Sequence, residues 1–200
     1  MNSRQSAASS KDVETRCRIV ATAERLFREI GYNKTTVADI ARCLSMSAGN
    51  VYRFFTSKSE INEAVGRQLM GEVEQAAEAI ANSQGPASER LRKLIHTVER
   101  MNSERYLSDT KLHEMVSIAL TENWPIVREH VLRMDVYLQK VIRDGIEASE
   151  FRHQDPALAA RLVHTSTMRF CHPRLMVECG EFTVPTIDQM LDFCLAALHA

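Results

Sequence analysis

Apolar residues recur along this chain at three- and four-residue intervals from about position 11 to the end, which is the period of one face of an α-helix. Ile19, Val20, Ala23, Leu26, Phe27 and Ile30 mark a first amphipathic helix over about 11–30, closed by Gly31 in the place that favours a left-handed cap. Residues 36–55 (TVADIARCLSMSAGNVYRFF) hold two short patterns with a tight break between them. Thr36 and Asp39 resemble a capping box for the first, whose apolar face is Ile40, Ala41 and Leu44. Ser47 can cap the second, which carries Val51, Phe54 and Phe55. Two such short helices can bury their faces only against each other and a third, which is the geometry of a helix-turn-helix.

Ser57 to Glu60 reads as a full capping box opening a long helix over about 57–82, with the stripe Ile61, Ala64, Val65, Leu69, Val73, Ala77 and Ile80. Its length, roughly 36 Å at the standard rise, suits a rod tying one domain to another. Gly85 and Pro86 break the pattern. Beyond them the spacing predicts helices over about 87–101, around Leu112 to Leu120 behind a Ser108 or Asp109 cap, and from Pro125 to near Ser149. A further helix opens at Asp155-Pro156, with Leu158, Leu162, Val163 and Phe170, and a last one begins near Pro185. The 172–180 stretch between them reads as a poorly patterned connection. No segment alternates as a strand would. The fold class predicted is therefore all-α, about nine helices. The chain divides into a disordered tail (1–10), a three-helix head (11–56), a linking helix (57–82) and a larger helical domain (83–200).

Composition adds less than the placement of charge. The net charge is −1, but residues 1–60 hold ten Lys or Arg against six Asp or Glu, a net +4, and residues 61–200 hold fifteen against twenty, a net −5. A basic head on an acidic body suits a head that meets a polyanion. No run reaches the 18 apolar residues of a membrane helix, and the N-terminus lacks a signal-peptide core. The five cysteines (Cys17, Cys43, Cys171, Cys179, Cys194) are odd in number and scattered, which points to reduced thiols in a cytoplasmic protein.

The order FREIGY, KTTVADIA, SAGNVYRFF and then a capped SKSE helix resembles the head of the tetracycline-repressor (TetR) family of bacterial transcription regulators, over about residues 13–65. The resemblance implies a homodimer that binds operator DNA through its heads and a small effector through its body, more often as a repressor than an activator. It implies a DNA-facing set of Thr36, Ser47, Ala48, Gly49, Asn50, Tyr52, Arg53 and Lys58. Within it Thr36, Tyr52 and Lys58 meet phosphates, Gly49 allows close approach, and Asn50 and Arg53 meet either bases or phosphates. One position departs from the family: serine stands at 45, where the turn usually has glycine.

In the body, His96, Met101, Met115, Trp124, Tyr137, Met168 and Phe170 are bulky enough to line an effector pocket, although any one of them taken singly reads first as core. The resemblance places the dimer seam on the last two helices, through Leu158, Leu162, Ile187, Met190, Leu191, Cys194, Leu195 and Leu198. The stripe from Ile187 to Leu198 can instead face its own subunit. The seven histidines show no metal-ligand spacing, so no metal or cofactor is expected. Cys171 and Cys179 straddle a loop and suggest either a redox pair or two ordinary thiols. No serine sits in a nucleophile elbow and no glycine-rich loop suggests a nucleotide, so an enzyme is not expected. Two other classes stay open at this stage: an all-α interaction protein without DNA binding, and a small-molecule binder or hydrolase built on helices.

Overall fold

The computed structural model describes residues 10–107, 111, 114, 115, 118, 125–178 and 185–199. Among them are nine helices: α1 (Ser10–Ile30), α2 (Val37–Cys43), α3 (Ala48–Tyr52), α4 (Lys58–Ala81), α5 (Ala87–Tyr106), α6 (Pro125–Glu147), α7 (Pro156–Cys171), α8 (Pro173–Glu178) and α9 (Ile187–Leu198). No strand occurs among the described residues. Two compact units divide the chain between Gln68 and Leu69, inside α4.

In the first unit α1 packs on α2 and α2 on α3. Its core is the set the periodicity marks: Ile19, Val20, Ala23, Leu26 and Phe27 from α1, Ile40 and Ala41 from α2, Val51 and Phe55 around α3, and Ile61 and Val65 from α4. Of the same set Leu44, Phe54 and Ala64 are half-buried, and Ile30, at the end of α1, is exposed. Gly31 takes the left-handed conformation expected of it (φ 92°) and its N–H donates to the Phe27 carbonyl at 3.0 Å. The box expected at the start of α4 forms differently. The Ser57 hydroxyl accepts from the Glu60 N–H at 3.0 Å, but the Glu60 carboxylate reaches past it to the N–H (2.6 Å) and hydroxyl (2.9 Å) of Thr56. The residue before the cap thus takes the carboxylate, and one more donor is satisfied upstream.

In the second unit α5, α6, α7 and α9 close around one core that includes Val73, Ala77 and Ile80 of α4, Leu91, Leu94 and Ile95 of α5, Leu138, Val141 and Ile142 of α6, and Ala160 and Val163 of α7. α5 runs one turn beyond the predicted Met101, because Asn102 and Tyr106 are also buried. Its N-terminus follows Pro86, which has no side-chain acceptor; the Glu150 carboxylate supplies one, receiving the N–H groups of Ala87 (2.6 Å) and Ser88 (2.8 Å). Burial works against ionisation of Glu150, yet the bond from the Ser88 hydroxyl, and then those from the Ser88 and Ala87 N–H groups, hold it below the usual carboxylate range. Arg90 is buried and donates from Nη1 to the Ala81 carbonyl and to Asp144 Oδ2, both at 2.9 Å, so it caps the end of α4.

The stripe on α9 faces its own subunit. Leu191, Cys194, Leu195 and Leu198 are buried in this core, so they do not belong to a seam between subunits; Ile187 and Met190 pack at its edge. Leu158 and Leu162, read as core-facing apolar positions of α7 as well as seam residues, are 57% and 59% exposed. The stretch read as a connection contains α8, whose Pro173 supplies a first-turn proline. The helix predicted around Leu112 to Leu120 lies mostly outside the described residues, as do Trp124 and Cys179.

Candidate nucleic-acid interface

The head presents α3 from a short, well-capped frame. Thr36 caps α2 in a complete box: its hydroxyl accepts from the Asp39 N–H at 3.1 Å, and Asp39 Oδ2 receives the Thr36 N–H at 3.0 Å and hydroxyl at 2.6 Å. The hydroxyl bond, then the backbone bond, holds the Asp39 carboxyl below its usual range. The N–H and hydroxyl of Thr36 are thus both engaged with the Asp39 carboxylate.

α2 ends at Leu44, and Ser45 turns the chain with φ 55°. This is the left-handed residue that a glycine would adopt without strain, and serine there costs on the order of 1 kcal/mol. The turn is closed by the Met46 N–H donating to the Ala41 carbonyl at 2.9 Å. Ser47 then caps α3, accepting from the Asn50 N–H at 3.2 Å. Gly49, Tyr52 and Arg53 are exposed, Ala48 and Asn50 half-buried, while Val51 and Phe55 face inward. Asn50 and Arg53 are linked, with Arg53 Nη1 donating to Asn50 Oδ1 at 3.3 Å. A Cβ placed on Gly49 would meet only the Ser47 hydroxyl, at 3.9 Å. Nothing inside the head requires a glycine there.

Lys58, at the start of α4, turns its ammonium toward the α1–α2 connection. Its Nζ donates to the carbonyls of Tyr32 (2.9 Å) and Thr35 (3.0 Å) and lies 4.1 Å from the centroid of the Tyr32 ring. The ammonium thus ties the α1–α2 connection to the start of α4.

The residues expected to line an effector pocket do not gather at one described cavity. Met101 and Tyr137 pack on the edge of the body core, Met115 is buried, and Met168 and Phe170 are half-buried on α7. His96 lies on the α5–α9 surface, its Nε2 2.9 Å from Asp188 Oδ1. A cleft of about 450 Å³ is lined by Ser88, Glu89, Arg92, Asp192, Leu195, Ala196 and His199, none of them in the expected set.

Sequence periodicity misses a buried polar group in the body. Glu74 of α4 accepts from Arg133 Nε at 2.6 Å and lies 2.7 Å from His130 Nδ1. On the adjoining helices Asp135 lies 2.6 Å from His164 Nδ1 and 3.3 Å from Arg161 Nη2. Burial, more than any other influence, lowers the His130 pKa against the opposing pull of Glu74. The only sequence signal is that Glu74 stands beside Val73 in a buried stretch of α4. Burial pushes the Cys171 thiol up to about 12, which leaves it almost without thiolate at neutral pH. Among the described residues no three His, Cys, Asp or Glu side chains gather as a metal site, and no helix is long and apolar enough to cross a membrane.

A capped α2, a left-handed turn and an α3 that shows its polar face define a helix-turn-helix protein of the class that reads duplex DNA. Residues 19–65 match the family described as bacterial regulatory proteins of the tetR family, and residues 87–190 match a tetracyclin repressor-like C-terminal domain. The chain belongs to the tetracycline-repressor family of sequence-specific DNA-binding transcription regulators, whose members are not enzymes. It is 22% identical over 142 residues to the uncharacterized HTH-type transcriptional regulator YhgD of Bacillus subtilis, covering 71% of this chain and 74% of that protein. Among solved structures it is similar to a TetR/AcrR-family regulator of Thermobifida fusca (22% identity, TM-score 0.70, 91% of this chain and 97% of the other). It is also similar to SmeT in complex with triclosan (24% identity, TM-score 0.66, 94% and 92%). SmeT is the repressor of the Stenotrophomonas maltophilia multidrug efflux pump SmeDEF.

Proposed function

We propose that this regulator is a homodimeric repressor that holds a palindromic operator until a small molecule bound in its body releases it. The observation that carries the DNA-facing part is the outer face of α3. Gly49 has no internal reason to lack a side chain, and Tyr52 and Arg53 stand exposed beside it. Ser47, Ala48 and Gly49 bring the start of α3 to the groove. Asn50 and Arg53, already hydrogen-bonded to each other, form one polar unit suited to a base pair, and Tyr52 suits a phosphate. Thr36 contributes through its place at the start of α2.

For the dimer, the supporting surface is Leu158 and Leu162 on α7 with Phe193 on α9, the last 70% exposed. Ile187 and Met190 flank it at the core's edge. An apolar face of this kind on neighbouring helices suits an isologous contact. Leu158→Glu with Phe193→Glu yields a monomer in sedimentation that has lost tight duplex binding. A double variant that stays dimeric removes this surface from the proposal.

The effector proposed is an apolar small molecule, in keeping with the triclosan bound by SmeT. Met101, Met115, Tyr137, Met168 and Phe170 are the residues suited to its apolar part. The effector releases DNA only to the extent that it binds the DNA-free form more tightly. A thermal-shift screen of apolar compounds, followed by competition with duplex, tests this. A compound that raises the melting temperature and leaves duplex affinity unchanged counts against release.

A further inference from the structure

The last turn of α5 reaches two other helices of the second unit, and in both cases it takes hold of backbone. Arg105 donates from Nη1 to the Leu69 carbonyl of α4 at 2.9 Å, and its Nη2 bonds the Glu72 carboxylate one turn further along the same face. Its side chain is only 16% exposed. Leu69 lies inside α4, where a carbonyl already engaged in the helix keeps a second lone pair to offer. Three residues back on α5, buried Asn102 donates from Nδ2 to the Cys171 carbonyl at 2.7 Å. Cys171 ends α7, so this carbonyl is one of the last four that no N–H of its own helix satisfies.

A bond to a helix carbonyl follows the helix itself, whereas a bond between side chains follows their rotamers. Two such donors on one turn of α5 therefore hold α4 and α7 to each other at a fixed height and rotation. Apolar contact along the same helices is non-directional and tolerates small shifts. A hydrogen bond weakens steeply once its angle is lost. α7 carries Leu158 and Leu162 of the seam proposed above. α4 is the helix that continues from the core of the second unit, through Val73 and Ala77, into that of the first, through Ile61 and Val65.

We infer that Asn102 and Arg105 are positioning residues that join α4 to the seam helix α7, and that this joint sets the half-site spacing the dimer accepts. Each added base pair moves a half-site by about 3.4 Å along the duplex and turns it by roughly 35°, since 10–10.5 base pairs make one turn of 34–36 Å. A dimer whose two α4 stems are fixed meets one spacing well and its neighbours badly. A dimer with a loosened joint loses that discrimination, while each head alone reads its half-site as before.

This rests on the paired-head reading proposed above, and the experiment keeps the two apart. Full-length protein enriches an inverted repeat from a randomised pool. Fluorescence anisotropy at one salt concentration gives its affinity for that repeat, for the repeat with one base pair added to or removed from its centre, and for a single half-site. For the unaltered protein the one-base-pair change is expected to cost about tenfold or more, a part of what engaging two sites at once contributes. Arg105→Met and Asn102→Leu keep apolar bulk and lose the carbonyl bond. Each is expected to shrink the penalty to about threefold or less with half-site affinity unchanged, and the double variant to shrink it no further, because the two bonds act in series. An unchanged penalty in either single variant overturns the joint. Gly145→Ala crowds Phe151 and Ala87 rather than α4, and it is expected to keep the full penalty. If it relaxes the spacing equally, general loosening of the body is the cause and the joint is overturned. Should Arg105→Met lose cooperative unfolding, Glu72→Ala replaces it, removing the exposed carboxylate that orients the guanidinium and leaving a good helix former. A smaller relaxation in the same direction is expected there, and an unchanged penalty overturns the joint. An unaltered protein that enriches no repeat, or binds all spacings alike, overturns the paired-head reading and this inference together. Strict spacing in the unaltered protein and in the variants alike overturns the inference alone.

Discussion

Thr36 and Asp39 satisfy each other completely: the hydroxyl of one takes the N–H of the other, and the carboxylate returns the exchange to both donors of Thr36. α2 is only seven residues long, too short to hold itself by propensity, so its box carries much of its local stability. Thr36→Val removes the hydroxyl and keeps the shape. It is expected to destabilise the head by about 1 kcal/mol, read from urea unfolding, while Thr36→Ser keeps most of that stability. Equal unfolding midpoints for Val and wild type would show that the cap contributes nothing.

Asn62 lies on α4 at 0% exposure, and neither its amide nitrogen nor its carbonyl oxygen has a partner. A buried amide left unpaired carries the full cost of losing water. Asn62→Leu is therefore expected to stabilise the first unit by about 1–3 kcal/mol, provided the branched side chain is accommodated, and to leave duplex affinity unchanged. A lower melting temperature in a scanning calorimeter counts against the orphaned amide as drawn.

Glycines at 145 and 49 make opposite predictions. A Cβ on Gly145 would fall 2.3 Å from the Phe151 ring and 2.8 Å from the Ala87 Cβ, so Gly145→Ala forces α6 off the residues that follow it. The expected cost is about 1–3 kcal/mol. Gly49→Ala meets open space and is expected to leave the melting temperature in place while lowering duplex affinity. If Gly49→Ala binds as well as wild type, the close approach of α3 to DNA is wrong.

The pH dependence follows from His130. Its folded pKa lies below the ordinary value of 6.5 because burial disfavours the imidazolium. As pH falls through 6.5 the unfolded chain takes up a proton before the folded one, so stability is full above that value and declines on acidification toward the folded pKa. His130→Asn keeps a donor for Glu74 and cannot titrate. It is expected to flatten the acid-side decline in melting temperature. A decline just as steep in the variant assigns the effect to other groups.

What a sequence shows and what it hides follow from the physics of each signal. Caps and periodic stripes are local, so α1, the α2 box, the start of α7 at Asp155-Pro156 and the left-handed Ser45 are all legible. Periodicity says which residues of a helix share a face, and not what that face meets. The stripe with Leu191 and Leu195 therefore leaves open whether it faces a partner or its own core, which it fills, and the exposed Phe193 gives no periodic signal. The contacts of Lys58 are hidden for the same reason. Its partners lie 26 and 23 residues away, and no local spacing announces them.

The central claim is that α3 of a paired head reads DNA sequence, and enrichment of duplexes from a randomised pool by the full-length protein tests it most directly. The account predicts an inverted repeat whose half-sites are about one helical turn apart, roughly 34–36 Å, with base preferences that change in Asn50→Ala and Arg53→Ala. Enrichment of no motif, or of the same motif by wild type and both variants, would contradict it.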